Sequence, residues 1–231
     1  MSLSDQPVTR VAMLIYPSFT TLDLIGPHQV LASLPNMQIE LVAKTREPVV
    51  SDRGVSVNPD RSFEDSDRDY DIILVPGSGK THVQMEDSDT RSFVSAVGSN
   101  ANYVTSVCTG SLILAAAGLL VGYRATSHWA YRDSLSAFGA IPEEGRIVVD
   151  RNRITGGGVT AGVDFAFRLA AILRGEDIAK VVQLVFEYDP HPPFDAGSPE
   201  RADPATMALA TERLAPSRDA MREAVERLAR N

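Results

Sequence analysis

Short runs of consecutive apolar residues alternate along this chain with longer stretches of helical period, as expected for helices packed on both faces of a mostly parallel sheet. Runs such as Val11-Ala-Met-Leu-Ile-Tyr16 and Ile72-Ile-Leu-Val75 have no polar face, so they read as strands buried on both sides. Strands are predicted at residues 10–16, 38–43, 71–75, 103–107, 146–150 and 153–155, with 56–58 a further candidate. Helices fill the gaps. The first begins near Pro27, whose missing N–H is not needed in a first turn, and runs to about residue 34. Others are predicted at 91–97, 109–119, 128–138 behind Ser127 as N-cap, 162–173 and 177–188. The polar turn between Val149 and Ile154 reads as a hairpin at a sheet edge. A proline-rich connection follows Tyr188. From Pro204 an apolar stripe returns, with Met207, Leu214, Met221, Val225 and Leu228. Pro216 is expected to divide this tail into two helices, packed on the domain or on a partner subunit. No repeat or second boundary is visible, so residues 1–231 read as one α/β domain with a helical tail at about 204–231.

Composition narrows the function classes. The chain has 231 residues, 44% hydrophobic and 23% charged, enough for one well-filled core. A single cysteine excludes an internal disulfide framework and any multi-thiolate metal site within one chain. The four histidines, His28, His82, His128 and His191, show no metal-ligand spacing, so no metal is expected. A net charge of −8 and a pI near 5.0 disfavour a nucleic-acid partner, because duplex affinity rests on basic side chains. The longest apolar stretch, residues 112–121, is too short to cross a membrane. The amino terminus, with Asp5 and only a short apolar run before Pro17, lacks a secretory core, and a reducing cytoplasmic setting is expected.

Three segments can carry chemistry. Tyr103-Val-Thr-Ser-Val-Cys108-Thr-Gly-Ser reads as a buried strand, a tight turn and a helix start. Such an elbow exposes a reactive atom beside backbone donors and lowers a thiol pKa, so Cys108 is either an activated nucleophile or a buried structural thiol. Pro76-Gly77-Ser78-Gly79-Lys80-Thr81 is not a phosphate loop, because Leu74 stands where that motif needs glycine. It suits either a plain tight turn or a backbone facing the ligand crevice, where Gly77 and Ser78 N–H groups form half of an oxyanion-type donor pair. Asp23, between two leucines after the first strand, is either a helix cap or a buried acid near the site. His128 is a candidate at one remove from the thiol, with a structural role as its alternative. The glycines at 156–158 are either a simple loop or a close backbone approach before a helix.

Together, Leu22-Asp23-Leu-Ile-Gly-Pro-His28, Pro76-Gly77, Val104-Thr-Ser-Val-Cys108-Thr-Gly-Ser111, His128-Trp-Ala-Tyr131, Thr155-Gly-Gly-Gly-Val-Thr-Ala-Gly-Val-Asp164 and Pro193-Phe-Asp-Ala-Gly-Ser-Pro199 span nearly the whole chain. The set resembles the PfpI-like (DJ-type) superfamily, and within it the bacterial isocyanide hydratases. The resemblance implies a flavodoxin-like three-layer sandwich of the class I glutamine amidotransferase-like type. It implies a homodimeric hydro-lyase that takes a small-molecule isocyanide to the N-substituted formamide, through a cysteine thioimidate, with no cofactor, nucleic acid or membrane. By it Cys108 is the nucleophile, Asp23 the acid at its side and Thr109 the residue after the elbow, with Gly77, Ser78 and Val159 at the substrate. Superfamily proteases and deglycases usually carry histidine after the cysteine or glutamate in place of Asp23; neither holds here, and Ser78 replaces a glycine of the nearer relatives. Rival expectations are a cysteine redox sensor or stress protein, and the sensing domain of AraC-type regulators. The helical segment after Pro204 is too short for the latter's DNA-binding region.

Overall fold

The buried apolar runs form the middle of one sheet. The structure is a computed structural model that describes residues 7–230, so the reading that rests on Asp5 lies outside the described residues. In chain order the elements are β1 (Thr9–Leu14), α1 (Thr21–Ala32), β2 (Met37–Ala43), β3 (Val49–Val50), β4 (Ser56–Val57), β5 (Arg61–Ser62) and β6 (Ile72–Val75). Then come α2 (Thr81–Glu86), α3 (Ser88–Asn100), β7 (Tyr103–Val107), α4 (Gly110–Ala116), β8 (Arg124–Ala125), a 3-10 helix (Arg132–Phe138) and β9 (Ile141–Pro142). The chain continues through β10 (Ile147–Asp150), β11 (Arg153–Gly156), α5 (Ala161–Arg174), α6 (Glu176–Val185) and α7 (Pro204–Leu228).

Seven strands lie in the order β10-β11-β7-β6-β1-β2-β5. Every pairing is parallel except β10 with β11, the expected hairpin, which leaves β10 at the edge. Helices α1, α5 and α6 pack together on one face; α2, α3, α4 and α7 pack together on the other. The result is a three-layer, flavodoxin-like sandwich. All four residues of β6 are buried, as a strand covered on both faces must be. The chain leaves β1 toward β2, then returns to the other side of β1 as β6. That reversal opens a crevice at the carboxyl ends of β1, β6 and β7, where ligands of open α/β sheets bind.

Several elements differ from the sequence reading for identifiable reasons. Helix α1 begins at Thr21, six residues before Pro27, so proline sits inside it. Close packing accompanies the lost hydrogen bond: a Cβ on Gly162 of α5 would lie 3.3 Å from the Pro27 ring, and one on Gly26 would lie 3.1 Å from Val163. The segment after Ser127 begins as a turn, and only residues 132–138 coil, as 3-10 helix. Ser127 is not a cap there; its hydroxyl donates to the Cys108 carbonyl at 3.1 Å. Helix α4 stops at Ala116 rather than residue 119. Gly118, at φ +78°, closes it with bonds from Gly118 N–H to Ala115 and from Leu119 N–H to Leu114. The candidate strand at 56–58 pairs with β3 outside the main sheet, and β5, β8, β9 and α2 are additional. Helix α3 starts at Ser88 because Asp87 accepts from the Thr90 N–H. Pro216 does not divide the tail: α7 is one helix of 25 residues. Pro216 is exposed, so the carbonyl deprived of its partner can turn to water.

At Gly110 the start of α4 meets the end of β6. A Cβ there lies 2.1 Å from the Val75 carbonyl oxygen. Gly110→Ala is expected to cost about 3 kcal/mol in chemical denaturation. Gly79→Ala, where a Cβ meets nothing within 4 Å, should shift stability by less than about 0.5 kcal/mol.

Candidate active site

Strand β7 ends at Val107, and Cys108 turns the chain into α4 at φ +57°, a left-handed conformation that side-chain-bearing residues rarely adopt. Strain of this kind costs roughly 1–3 kcal/mol and persists only where the surroundings hold it. Here both backbone groups of Cys108 are fixed. Its N–H donates to the Gly156 and Gly157 carbonyls at 3.0 and 2.9 Å. Its carbonyl accepts from the Ser111 and Ser127 hydroxyls at 3.2 and 3.1 Å.

The sulfur thereby reaches the starts of two helices. Backbone N–H groups of Thr109, before α4, and Val159, before α5, hydrogen-bond to it. Both stabilise a thiolate, yet burial and the nearby Asp23 charge dominate and push the thiol well above its ordinary range. The lowered thiol pKa expected from the elbow alone is therefore overturned by desolvation.

Asp23 is a buried acid, not a cap. It is fully buried in the first turn of α1, where one carboxyl oxygen accepts from the Gly77 N–H at 2.9 Å. Its other carboxyl oxygen is buried without a hydrogen-bond partner, and the Cys108 side chain is the neighbour that favours its charged form. Burial pushes the carboxyl up to about 7. Two buried acids side by side resist bearing two charges: below about pH 7 both keep their protons, and above it the carboxyl gives up its proton first while the thiol retains its own.

The donors at residues 77 and 78 are otherwise engaged than the sequence suggests. Gly77 N–H is spent on Asp23, and Ser78 N–H donates to the Thr109 hydroxyl at 2.9 Å. Neither N–H is left for an oxyanion, and the donors at the sulfur are those of Thr109 and Val159. The Thr109 hydroxyl also lies 2.6 Å from the Thr81 hydroxyl, and Thr81 donates to the Ser78 carbonyl at 2.8 Å. Tyr16 donates to the Pro76 carbonyl at 2.6 Å beneath the same turn. The sequence reading took Thr81 only as part of a rejected phosphate loop and gave Tyr16 no role; tertiary packing brings Thr81 to Thr109 and Tyr16 to Pro76.

A cavity of about 430 Å³ reaches Cys108 and Thr109, walled by Leu22, Ser78, His128, Tyr131, Val159 and Leu214. His128 is mostly buried, which lowers its pKa and keeps it neutral, and it meets Tyr131 edge-on at 5.6 Å. A neighbouring cavity shares His128 and Val159 and is lined in part by Gly197, Ser198 and Pro199 of the proline-rich connection. His28, His82 and His191 line neither cavity. Among the described residues no group of three or more His, Cys, Asp or Glu side chains is arranged to hold a metal ion, and no helix is long and apolar enough to cross a membrane.

Comparison with known proteins gives a consistent picture. A model of the DJ-1/PfpI family matches residues 9–172, leaving α6 and α7 beyond it. An isonitrile hydratase of Pseudomonas putida, isonitrile being a synonym of isocyanide, is 50% identical over 95% of this chain and 96% of its own. A solved THiJ/PfpI family protein from Pseudomonas syringae superposes with a TM-score of 0.91 at 46% identity, covering 96% of this chain and 90% of that one. The HTH-type transcriptional regulator GbdR of Pseudomonas aeruginosa is 30% identical over 59% of this chain but over only 37% of its own length.

The position of the Asp23 pKa makes a stability prediction. Its folded value of about 7 lies above the ordinary 3.8, so the folded state holds the proton more tightly and stability falls as pH rises between the two. The cost is absent below about pH 4 and complete above about pH 7, at up to ~4 kcal/mol. In denaturation at several pH values, Asp23→Asn is expected to be more stable than wild type at pH 8, with the gain vanishing by pH 4. An equal difference at both pH values would contradict a neutral buried acid.

Proposed function

This chain belongs to the DJ-1/PfpI family, and on that premise we propose that it hydrates isocyanides, R–N≡C, to N-substituted formamides with Cys108 as the nucleophile. The observation that carries the reading is the thiol at the elbow, held by two backbone N–H groups and in contact with a buried carboxyl near neutral pKa. The likeness to an isonitrile hydratase along nearly the whole chain supports the substrate class.

The chemistry needs these groups. An isocyanide carbon accepts a sulfur nucleophile only as it gains a proton, so an attacking thiolate and an adjacent acid must act together. The Asp23 carboxylate takes the thiol proton as the Cys108 sulfur bonds to the terminal carbon, and delivers that proton to the same carbon. The result is a thioimidate, Cys–S–CH=N–R, and an Asp23 carboxylate. Water then adds to the same carbon; one of its protons goes to nitrogen and the other returns to the Asp23–Cys108 pair. Rupture of the C–S bond releases R–NH–CHO. The N–H groups of Thr109 and Val159 stabilise the thiolate before attack and after release.

In this scheme Gly77 and Ser78 act indirectly. Gly77 aims the carboxyl, and Ser78 fixes the Thr109 hydroxyl. Val159 supplies both a donor and a wall. The reaction consumes only water and substrate, with no cofactor. A reducing cytoplasm suits it, since a lone catalytic thiol must stay unoxidised. The working form is a homodimer, for which exposed apolar side chains such as Leu184 and Val185 offer surface.

Protein mixed with an alkyl or aryl isocyanide is expected to release formamide. Cys108→Ala should abolish turnover, and Asp23→Ala should lower kcat by at least about 10²-fold. Mass spectrometry of the mixture should find the thioimidate on Cys108. Absence of formamide from several isocyanides would sink the reading. Light scattering should give twice the 24.9 kDa chain mass.

A further inference from the structure

We propose that the carboxy-terminal helix α7 sets the size of substituent the site accepts, with Leu214 as the specificity-determining side chain and Ser217 as its anchor. The inference rests on the isocyanide reading for its substrate and on geometry for its mechanism. Leu214 is half-buried and lines the Cys108 cavity together with Tyr131 and Val159. It comes from a helix beyond the family-wide segment, so the wall it builds is particular to chains that carry this tail.

The helix is held tightly enough for one side chain to act as a wall. Residues 214, 217, 221, 224 and 225 fall on one helical stripe facing the domain. Met221, Ala224 and Val225 are buried, and Arg227 pairs with Glu86 of α2 at 2.6 Å, which docks the distal half. Between this anchor and the cavity lies a chain of hydrogen bonds. Tyr131, which also lines the cavity, donates to the Ser217 hydroxyl at 2.9 Å; Ser217 donates to the Gly79 carbonyl at 2.6 Å. Gly79 follows Ser78, so the latch ties α7 to the turn that positions Thr109 and Asp23.

The chemistry of the wall selects the ligand class. Leu214, Val159 and Tyr131 contribute apolar surface beside a neutral His128, while Thr20, Thr21, Asp52 and Arg53 line other parts of the cavity, so a hydrocarbon substituent on the isocyanide nitrogen packs on the wall that Leu214 builds. An apolar pocket discriminates by volume, at roughly tenfold or more per methylene gained or lost. Leu214 therefore limits bulk, and truncating it adds room without touching the sulfur, the acid or the donors.

The test compares a small isocyanide, isopropyl, with a bulky one, 2-naphthyl, in wild type, Leu214→Ala and Ser217→Ala. Leu214→Ala is expected to raise the bulky-to-small ratio of kcat/KM by about tenfold, mainly through KM. Ser217→Ala should shift the ratio the same way by a smaller factor, since the helix stays docked through Met221 and Arg227. In parallel, Cys108 is alkylated with iodoacetamide and with N-naphthyl iodoacetamide, and the two rates are read by protein mass. The bulky-to-small alkylation ratio should rise in the same variants. Ratios unchanged within twofold in both assays overturn the proposal. A shifted alkylation ratio with no formamide from wild type would support the wall while rejecting isocyanide hydration.

Discussion

Everything at this site depends on two strand-end turns pressed together backbone to backbone. The turn after β6 and the elbow after β7 interlock through glycines on both sides. A Cβ on Gly77 would lie 2.6 to 2.8 Å from Thr109 and Cys108, and one on Gly110 would strike the Val75 and Pro76 carbonyls. Adjacent parallel strands alone bring turns near one another at the spacing of a sheet. Closing the remaining distance requires that no side chain intervene. From that contact follow the Gly77 bond to Asp23, the Ser78 bond to Thr109 and the short contact between Thr109 and Thr81.

The same contact explains why two individually unfavourable features coexist. Cys108 carries a strained backbone, and Asp23 is an acid without water. Each is destabilising, and each is held by groups contributed from elsewhere: residues 156 and 157 and two serine hydroxyls for the cysteine, residue 77 for the acid. Conflict between local preference and global structure concentrates where chemistry is performed. A thiol and a carboxyl buried side by side are poorly placed for stability and well placed for adding H and S to one carbon, the step proposed here.

Around this rigid centre the cavity walls come from parts of the chain far apart in sequence. Leu22 arrives from α1, Tyr131 from the turn before the 3-10 helix, Val159 from the glycine loop and Leu214 from α7. The turn and the elbow set what reaction can occur, while these walls set what fits. Because Ser217 ties the last helix to the Gly79 turn, wall and centre are coupled mechanically as well as spatially.

The sequence by itself determined the layered α/β fold, because double-sided burial writes itself as unbroken apolar runs at β1, β6 and β7. It also determined that a lone thiol sits at a strand-to-helix elbow, because strand, small-residue turn and helix are local patterns. It misread where proline matters: Pro27 and Pro216 both lie inside helices, the first packed closely against Gly162 and the second exposed to water. Only the tertiary structure decided that Asp23 is a buried carboxyl rather than a cap, that burial outweighs the helix amino termini at Cys108, and that the Gly77 and Ser78 N–H groups bond Asp23 and Thr109. Those outcomes depend on which strand neighbours which, and on how much water is left at the carboxyl ends of β1, β6 and β7. Both are properties of the assembled sheet that no local run of residues encodes.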